Sequence, residues 1–451
     1  MRIAIIGAGI SGLGAARALA EQFEVTLFEA GEQAGGHANT VDITLDGIRH
    51  PVDTGFLVFN HRTYPRLKRL FDELGVRTAP SDMSFSVSVG PHHREWCGTN
   101  LATVFAQPSN AISPRFLRML ADILRFNREA TAIARHGGAD PAMTLAEFLE
   151  RGRYGAAFRN DYLLPMAAAI WSCPMHATLA FPVSTFVRFC HNHGLLQISN
   201  RPQWYTVRGG AREYVDRIVS DLDDVRLATP VRSVSRHALS GRGQVAVLTR
   251  SGTEWFDHVV FACHSDQVMR LLADPSAGER STVGRIAYES NRAVLHTDTR
   301  LMPLRRRAWA AWNYLSDGNP AAPKVSVTYW LNRLQPLPFR SAAMVSLNPL
   351  FEPRPEHVIA EFDYMHPLLD LAAGDAQQRL PAVQGRLNTW FAGAWTGHGF
   401  HEDGLKSGLA VAEALSAAVA REGTAQHGGA SAAASARAAT VHRAVEYREA
   451  A

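Results

Sequence analysis

The sequence predicts an α/β fold in which a discontinuous domain with a parallel sheet is interleaved with a mixed α+β domain. Three observations indicate this fold class. A strand-turn-helix-strand pattern opens the chain at residues 2–29, a glycine pair followed by a helix and short strands begins near Tyr205, and a strand and a helix return after Leu387. Helices that alternate with strands are typical of parallel sheets. Because long stretches of other composition separate the three pieces, the parallel sheet must be assembled from separate segments.

The first element is an apolar run with β-branched residues, Arg2–Ile6, followed by a glycine-rich turn and a helical pattern. In the turn, Gly7 permits the sharp reversal, Gly9 lets the backbone approach a pyrophosphate, and Gly12 lets helix and strand pack closely. The start of the helix, at Ser11, supplies free N–H groups for phosphate charge. These features predict a Rossmann-like dinucleotide-binding domain.

The second strand, Val25–Phe28, ends at Glu29, whose carboxylate can accept hydrogen bonds from ribose hydroxyls. Directly after it come Ala30 and the pair Gly35-Gly36. Two strand-like runs then follow where a dehydrogenase that binds NAD would continue with helices and strands in turn. This break in the alternation favours a flavin protein.

The later elements divide the chain into six segments. The stretch after the opening unit is rich in helical pattern, the stretch before the closing strand carries aromatic, proline and strand-like runs, and the C-terminal tail is biased towards Ala, Gly, Ser and Thr. The predicted segments are 1–75, 205–272 and 385–422 for the cofactor domain, 76–204 and 273–384 for the helical and sheet parts of the substrate domain, and 423–451 for a disordered tail.

Composition excludes several classes of protein. The chain of 451 residues has 46% hydrophobic and 20% charged residues, which is ordinary for a globular protein and argues against a wholly disordered or collagen-like one. Its net charge of +4 is spread along the chain, so we expect no nucleic-acid partner.

Four cysteines lie far apart with no C-x-x-C pair, so we expect neither a metal site nor a disulfide framework. The apolar N-terminus resembles a short secretory signal, but Gly7, Gly9 and Gly12 interrupt it. No apolar run reaches the roughly 18 residues of a membrane-spanning helix. The expected location is cytoplasmic, with the protein soluble or peripheral to the inner face of the membrane.

Taken together, the opening fingerprint, Gly35-Gly36, Gly209-Gly210 and the closing Gly393-Ala394-Trp395 with 399–404 resemble the flavin amine oxidase and phytoene desaturase superfamily. The resemblance covers nearly everything except the tail. It implies FAD as the cofactor, bound without a covalent link because no cysteine stands in the closing motif.

The resemblance also implies roles for individual residues. Gly393 and Ala394 correspond to neighbours of the phosphate or ribityl chain, and Val231 to the residue whose backbone holds the adenine, with core packing as the alternative. His37 replaces the arginine that many amine oxidases carry after the paired glycines. The predicted cofactor-binding residues are Gly7, Gly9, Ser11, Gly12, Glu29, Ala30, Gly35, Gly36, His37, Gly55, Phe56, Val231, Gly393, Ala394, Glu402, Asp403 and Gly404.

A narrower resemblance rests on Val52–Asn60, on Thr328–Asn332 and on Gly399–Lys406. These stretches are similar to bacterial FAD oxidoreductases related to the N-terminal oxidase-like region of plant cyclopropane fatty acid synthases. The resemblance implies an acyl-lipid substrate and a partner enzyme similar to cyclopropane fatty acid synthase.

Two candidates for catalysis lie in the closing motif. Removal of hydrogen from a carbon chain sends a hydride to the flavin and a proton to a base, and His401 and Glu402 are the motif residues expected nearest the ring. Each has a plain alternative: His401 could be a hydrogen-bonded packing residue, and Glu402 could serve at a helix start or contact the ribityl chain.

Aromatic residues are the candidates for the substrate pocket, namely Trp171, Trp204 and Phe400, with core packing as the alternative. Phe400 stands where monoamine oxidases carry a tyrosine of their aromatic cage, which lowers the expectation of amine oxidation. The preferred function is dehydrogenation of a long apolar acyl chain. The alternatives are oxidation of an amine, conversion of a polyene or tetrapyrrole, and a flavin-bound scaffold that supports a lipid methyltransferase.

Two stretches predict contact with a membrane surface. Residues 115–128 form a basic amphipathic helical pattern, and 301–309 place an apolar run beside three arginines and Trp309. Either stretch could equally be a core-facing element with a solvated charged rim.

Overall fold

The computed structural model describes residues 1–90, 94–138, 140, 142–171, 178–197, 201–239, 242–319 and 324–421. The predicted tail, 423–451, therefore lies outside the described residues. In the described part of the chain, no helix combines the length and the apolar character that crossing a bilayer requires.

The strands, numbered in chain order, are β1 (Arg2–Ile6), β2 (Glu24–Phe28), β3 (Thr40–Leu45), β4 (Ile48–Asp53), β5 (Phe59–Asn60), β6 (Thr78–Ser81), β7 (Phe85–Val89), β8 (Arg94–Cys97), β9 (Trp204–Val207), β10 (Asp224–Arg226), β11 (Ser233–Leu239), β12 (Arg242–Thr249), β13 (Gly252–Phe256), β14 (His258–Phe261), β15 (Tyr288–His296), β16 (Trp312–Ser316), β17 (Val325–Trp330), β18 (Met344–Leu347), β19 (Val358–Pro367) and β20 (Thr389–Phe391).

The α-helices, also in chain order, are α1 (Ile10–Ala20), α2 (Pro65–Glu73), α3 (Leu101–Val104), α4 (Pro114–His136), α5 (Leu145–Arg151), α6 (Ala156–Phe158), α7 (Leu164–Trp171), α8 (Val183–Asn192), α9 (Arg212–Ser220), α10 (Ser265–Leu271), α11 (Ala277–Ser281), α12 (Leu331–Leu334), α13 (Leu371–Arg379) and α14 (401–421).

One sheet is parallel throughout its described strands, in the order β10-β2-β1-β14-β20. These strands come from the three segments predicted for the cofactor domain, so the expectation of a discontinuous Rossmann-like domain is confirmed. β1 lies at the centre, where Ile3, Ala4 and Ile5 are fully buried. Burial on both faces explains why this strand is a continuous apolar run without polar alternation.

The turn between β1 and α1 needs glycine for two different reasons. Gly7 has φ of +105°, a conformation that residues with a side chain rarely adopt. Gly12 faces the turn so closely that a Cβ there would lie 1.9 Å from the carbonyl oxygen of Gly7. The helix can therefore approach the strand only without a side chain at this position.

A second, mostly antiparallel sheet has the strand order β19-β15-β18-β17-β16-β7-β8 among the described residues, with β7 and β16 as its parallel pair. Its strands come from 76–204 and 273–384. The first of these segments, expected to be helical, thus also supplies strands, because the alternating pattern of β7 precedes the long helical stretch. The helices α4 and α8 pack against each other.

The stretch before β11 also differs from the sequence-based expectation. The pattern Val231–Val234 predicts a strand after the helix α9, but Val231 lies in the loop between β10 and β11. A buried network fixes the start of α9 instead: Oδ1 of Asp53 accepts hydrogen bonds from Thr40 Oγ1 at 2.6 Å and from the backbone N–H of Ala211 at 2.8 Å. This network ties the hairpin β3-β4 to the turn at Gly209-Gly210.

Candidate active site

A cavity of about 790 Å³ runs from the turn after β1 to the face of the mostly antiparallel sheet. Both domains contribute to its lining, as is common for cofactor and substrate sites. Thirteen predicted cofactor-binding residues line it, namely Gly7, Gly9, Ser11, Glu29, Ala30, Gly35, Gly36, His37, Gly55, Phe56, Val231, Gly393 and Ala394. Four others, Gly12, Glu402, Asp403 and Gly404, are not among the lining residues.

One end of the cavity, which we call the nucleotide end, is formed by the turn after β1 and by the tip of β2. The carboxylate of Glu29 is held there by the backbone N–H groups of Ala8 and Gly31, each at 2.8 Å. A Cβ on Gly9 would meet no atom within 4 Å, so the space beside it is open. The helix α1 begins there with no side-chain cap, which leaves its first N–H groups available to an anion.

Next along the cavity is a group of imidazole rings. The ring of His37 lies 5.8 Å from His264, 5.4 Å from His366 and 5.1 Å from Tyr364, measured between centroids. Burial lowers the pKa of His37 to about 3, and the neighbouring histidines add to the effect. His37 is therefore neutral at physiological pH.

The Nε2 atom of His37 is buried and has no hydrogen-bond partner among the described residues. An unsatisfied buried polar atom is costly, and a bound ligand with a hydroxyl or phosphate oxygen would satisfy it. The open space at Gly9, the free helix start and this nitrogen together fit a dinucleotide. Glu29, the adjoining helix start and His37 would hold its ribose and phosphate groups.

The closing motif runs from Gly393 to the start of α14 and lines the middle of the cavity. The loop before α14 is fixed from within, since Phe400 donates its backbone N–H to Asp403 Oδ2 at 3.1 Å. Burial raises the pKa of Asp403. Gly404 packs against α1, where a Cβ would lie 2.9 Å from Ser11 Oγ. Asp403 and Gly404 therefore shape the cofactor loop without lining the cavity.

His401 lines the cavity, but its ring is engaged on two sides. It stacks on Phe56 with a centroid distance of 4.0 Å, and its Nε2 shares a 2.6 Å hydrogen bond with the hydroxyl of Tyr214. Burial lowers the pKa of His401 to about 3. The structure thus gives His401 the environment of a positioned neutral ring.

Glu402 is turned away from the cavity, which corrects the expectation that it lies nearest the flavin ring. Its two carboxylate oxygens accept hydrogen bonds from the backbone N–H groups of Arg66 and Leu67, both at 3.0 Å. These N–H groups belong to the first turn of α2. Glu402 lies in the first turn of α14, but its carboxylate caps the start of α2. The spacing of residues in the sequence could not predict this contact.

The opposite end of the cavity, which we call the apolar end, is lined by Met83, Ile170, Phe189, Leu195, Trp312 and Leu347. Of the predicted pocket residues, Trp204 and Phe400 line the cavity, whereas the side chain of Trp171 lies outside the described residues. Phe400 stacks on Phe189 with centroids 4.8 Å apart and an interplanar angle of 17°.

His193 also lines the cavity here, although no motif in the sequence singled it out. Its ring stacks on Phe189 at 3.9 Å, and its Nδ1 lies 3.0 Å from the carbonyl oxygen of the same residue. A carbonyl can only accept a hydrogen bond, so Nδ1 carries the proton and Nε2 keeps a lone pair. Burial lowers the pKa of His193 to about 4, which keeps the ring neutral.

Comparison with known proteins gives a family and a fold. The family model described as flavin containing amine oxidoreductase matches residues 10–416. A putative flavin-containing monoamine oxidase, AofH, of Mycobacterium tuberculosis is 28% identical over 288 residues. The match covers 60% of this chain and 59% of the relative, so the chain matches less than two thirds of that protein's length.

Solved structures of similar fold have low sequence identity. A putrescine oxidase bound to putrescine superposes with a TM-score of 0.66 and 16% identity, covering 92% of this chain and 99% of that chain. The fatty acid isomerase from P. acnes that produces CLA superposes with a TM-score of 0.63 and 15% identity, covering 91% of this chain and 97% of that chain. At such identities the likeness shows the shared fold.

Proposed function

Because the chain belongs to the family of flavin-containing amine oxidoreductases and is an FAD-dependent oxidoreductase, we propose that it dehydrogenates a long apolar acyl chain, such as a modified fatty acyl group of a phospholipid. The observation that carries this proposal is the apolar end of the cavity. The described lining residues include two acids, and of these Glu29 belongs to the nucleotide end and Asp363 lies exposed on β19. Aliphatic and aromatic side chains suit a hydrocarbon substrate.

The aromatic rings at this end argue against an amine. An ammonium group is bound well between ring faces only if a gap separates them. Here Phe400 and His193 each lie against Phe189, with centroids 4.8 Å and 3.9 Å apart. The rings pack on one another, and His193 is neutral. This arrangement supports a substrate without charge.

Dehydrogenation requires two hydrogens to leave neighbouring carbons. A bound FAD would supply the acceptor for the first of them, which leaves as a hydride. The second leaves as a proton, and its electron pair forms the new C=C bond. Nε2 of His193 can take this proton because hydrogen bonding at Nδ1 fixes the neutral tautomer. His193 thus joins His401 as a candidate base, and the two differ in that Nε2 of His401 shares a hydrogen bond with the Tyr214 hydroxyl.

The extent of the cavity argues against the alternative of a flavin-bound scaffold without turnover. A scaffold would need the nucleotide end alone, whereas the cavity continues from there to the face of the second sheet. An extended apolar end supports turnover of a substrate. The partner similar to cyclopropane fatty acid synthase and the absence of a covalent flavin link stay predictions of the sequence resemblance.

The proposal is tested by anaerobic mixing of the FAD-loaded protein with detergent-dispersed phospholipids that carry cyclopropane, methylated or plain unsaturated chains. We expect one lipid class to bleach the flavin absorbance and to gain one double bond, measured by mass spectrometry. Parallel samples contain amines, a polyene and a reduced tetrapyrrole. Bleaching by one of these instead would establish that alternative, and bleaching by none would favour the scaffold.

A further inference from the structure

The most exposed large apolar side chains of the described part of the chain lie on neighbouring elements. Ile112 is 84% exposed, Leu101 77% and Leu304 69%. Soluble proteins scatter single apolar residues over their surface, but a concentration of them marks an interaction site. The helix α3, which carries Leu101, contacts β8 and the loop that carries Leu304. The segment 108–112, which ends at Ile112, reaches β8 through a hydrogen bond from the Asn110 side chain to the carbonyl oxygen of Glu95.

The helix α4 extends this surface. Its buried positions include Phe116, Met119 and Phe126, whereas Leu117 and Leu124 are exposed, 45% and 56% respectively. Residues seven apart lie on the same side of a helix, so these two leucines form one stripe. One side of α4 thus packs inward, and the other presents apolar side chains to solvent.

A buried carboxylate, that of Glu95, holds the loop at 301–311 in place. The oxygens of Glu95 accept hydrogen bonds from the backbone N–H groups of Leu304 at 2.6 Å and Arg305 at 3.0 Å, and also pair with the Arg305 guanidinium at 3.0 Å. Glu95 is fully buried. The exposure of Leu304 is therefore built into the fold.

Apart from Leu124, which lies beside Asp122, the exposed apolar residues of this surface lie in segments whose charge has one sign. Residues 96–121 and 299–316 contain no acidic residue. Arg118, Arg128, Arg306 and Arg307 are exposed and have no ion-pair partner within the described residues. Exposed leucines among unpaired arginines, with Trp309 beneath the Arg306 guanidinium at 4.9 Å, are the features of an interfacial surface. We call Leu101, Ile112, Leu117, Leu124, Leu304 and these four arginines the basic apolar face.

We propose that the basic apolar face docks the protein on the surface of an anionic lipid bilayer. The arginines supply the attraction to lipid phosphates, and the leucines enter the boundary between headgroups and acyl chains. Charge complementarity selects this occupant, since a neutral membrane or a basic protein would gain nothing from the arginines.

The docked face adjoins the active site. The helix α4 packs on α8, whose Phe189 lies at the apolar end of the cavity. The loop at 301–311 leads directly into β16, whose Trp312 lines the same end. Docking here would bring the bilayer to the elements that form the apolar end. The docking proposal stands independently of the reaction.

Co-sedimentation of the FAD-loaded protein with vesicles tests the proposal. The vesicles contain saturated phosphatidylcholine alone or with an equal amount of saturated phosphatidylglycerol, so binding is measured without any oxidisable chain. We expect sedimentation with the anionic vesicles, its loss in high salt, and little sedimentation with the neutral ones. Each arginine near the surface contributes about fivefold to binding.

Two double substitutions at exposed residues distinguish the contribution of charge to membrane binding from that of apolar contact. Arg118→Glu with Arg307→Glu should weaken binding at least about 25-fold, and Leu117→Ser with Leu304→Ser should weaken it with the arginines intact. Arg250→Glu with Arg386→Glu and Leu248→Ser with Leu387→Ser, on exposed residues of the other domain, are the matched controls. FAD content and melting temperature confirm that each variant is folded.

Three outcomes would overturn the docking proposal: no binding to anionic vesicles, equal binding to neutral ones, or equal losses in the control variants. Lipid-independent self-association that the same face variants abolish would assign the face to a second copy of this chain. A protein that docks but oxidises no acyl chain refutes only the proposed reaction, and one that oxidises dispersed lipid but does not dock refutes only the proposed surface.

Discussion

At the scale of single residues, the environment of each histidine in the cavity decides what it can do. His193 has Nδ1 bound to a carbonyl and keeps Nε2 as an acceptor, whereas His401 shares its Nε2 with the hydroxyl of Tyr214. Both rings are neutral because burial lowers their pKa. The difference between them lies in the hydrogen bonds, so substitution separates their roles.

We expect His193→Gln to slow anaerobic flavin bleaching by the lipid substrate about 10²- to 10⁴-fold, since a general base typically accelerates a reaction by a factor of this size. FAD content should be unchanged, because the residue lies at the apolar end. His191→Gln, in the last turn of α8 two residues before His193 and outside the cavity lining, is the control. Rapid mixing measures the rate, and a His193→Gln rate within threefold of the parent would remove this residue from the mechanism.

The carboxylate of Glu402 stabilises the fold through its contacts with the backbone. Its carboxylate satisfies two N–H groups at the start of α2, so Glu402→Ala leaves both without their partner. We expect a loss of about 1–3 kcal/mol in the free energy of unfolding, measured in urea, and a smaller loss for Glu402→Gln. The bleaching rate of the folded, FAD-loaded variants should stay close to that of the parent. A rate loss of a hundredfold with stability intact would restore the catalytic role.

At the scale of elements, the turn between β1 and α1 contains two glycines with different roles. One is required by the packing of the fold, and the other leaves space for the ligand. Gly12 is needed because helix and strand meet at backbone distance, while the space beside Gly9 is open. The backbone of Gly9 has φ of −73°, which alanine adopts freely. The two positions are therefore expected to respond differently to the same substitution.

Gly9→Ala should fold with an unchanged melting temperature in the absence of FAD and bind FAD at least about tenfold more weakly, because the methyl group fills space meant for the phosphates. Gly12→Ala should be strongly destabilised by the clash with the Gly7 carbonyl. Titration with FAD, followed by flavin fluorescence, and thermal unfolding give the two readouts. Parent-like FAD affinity in Gly9→Ala would place the pyrophosphate elsewhere.

At the scale of the whole molecule, buried neutral histidines couple folding to pH. Burial lowers the pKa of His296 to about 4, and its ring is fixed by Ser346 Oγ at 2.7 Å and by the N–H of Asp298 at 3.1 Å. Between about pH 4 and 6.5 the unfolded chain binds a proton there that the folded chain does not. Stability is therefore lost as pH falls through this window. Asp53, whose pKa burial raises to about 7, acts in the opposite direction.

We expect the free energy of unfolding to fall between pH 6.5 and 4.5, since the buried histidines whose pKa is lowered outnumber the buried carboxyls whose pKa is raised, Asp53, Glu402 and Asp403. In His296→Gln the slope should decrease by up to about 1.4 kcal/mol per pH unit, the value for one proton. Urea unfolding at several pH values measures it. His237→Gln, at an exposed position on β11, should keep the parent slope. An unchanged slope in His296→Gln would show that this ring also titrates in the folded chain.

The local pattern of the sequence was sufficient for the parts of the fold that depend on neighbours in the chain. The glycine-rich turn, the acid at the end of β2, the apolar run of β1 and the presence of a closing helix follow from spacing and periodicity, because backbone conformation and burial impose them directly. The resemblance of these motifs to a known family implied FAD, and most of the residues predicted to bind it line the cavity. The local pattern also identified the basic helix and the loop of arginines, whose apolar residues the fold leaves in solvent.

Only the tertiary structure decided which distant side chains meet. Glu402 stands next to His401 in the chain, yet it caps the start of α2, because the fold brings the backbone N–H groups of Arg66 and Leu67 to its carboxylate. His193 is an ordinary histidine in the sequence, and it becomes a base candidate through a carbonyl one helical turn away and the rings around it. Phe400 meets Phe189 across more than two hundred residues of chain. Contacts of this kind depend on how distant segments of the chain pack together, which the spacing of residues along the sequence does not encode.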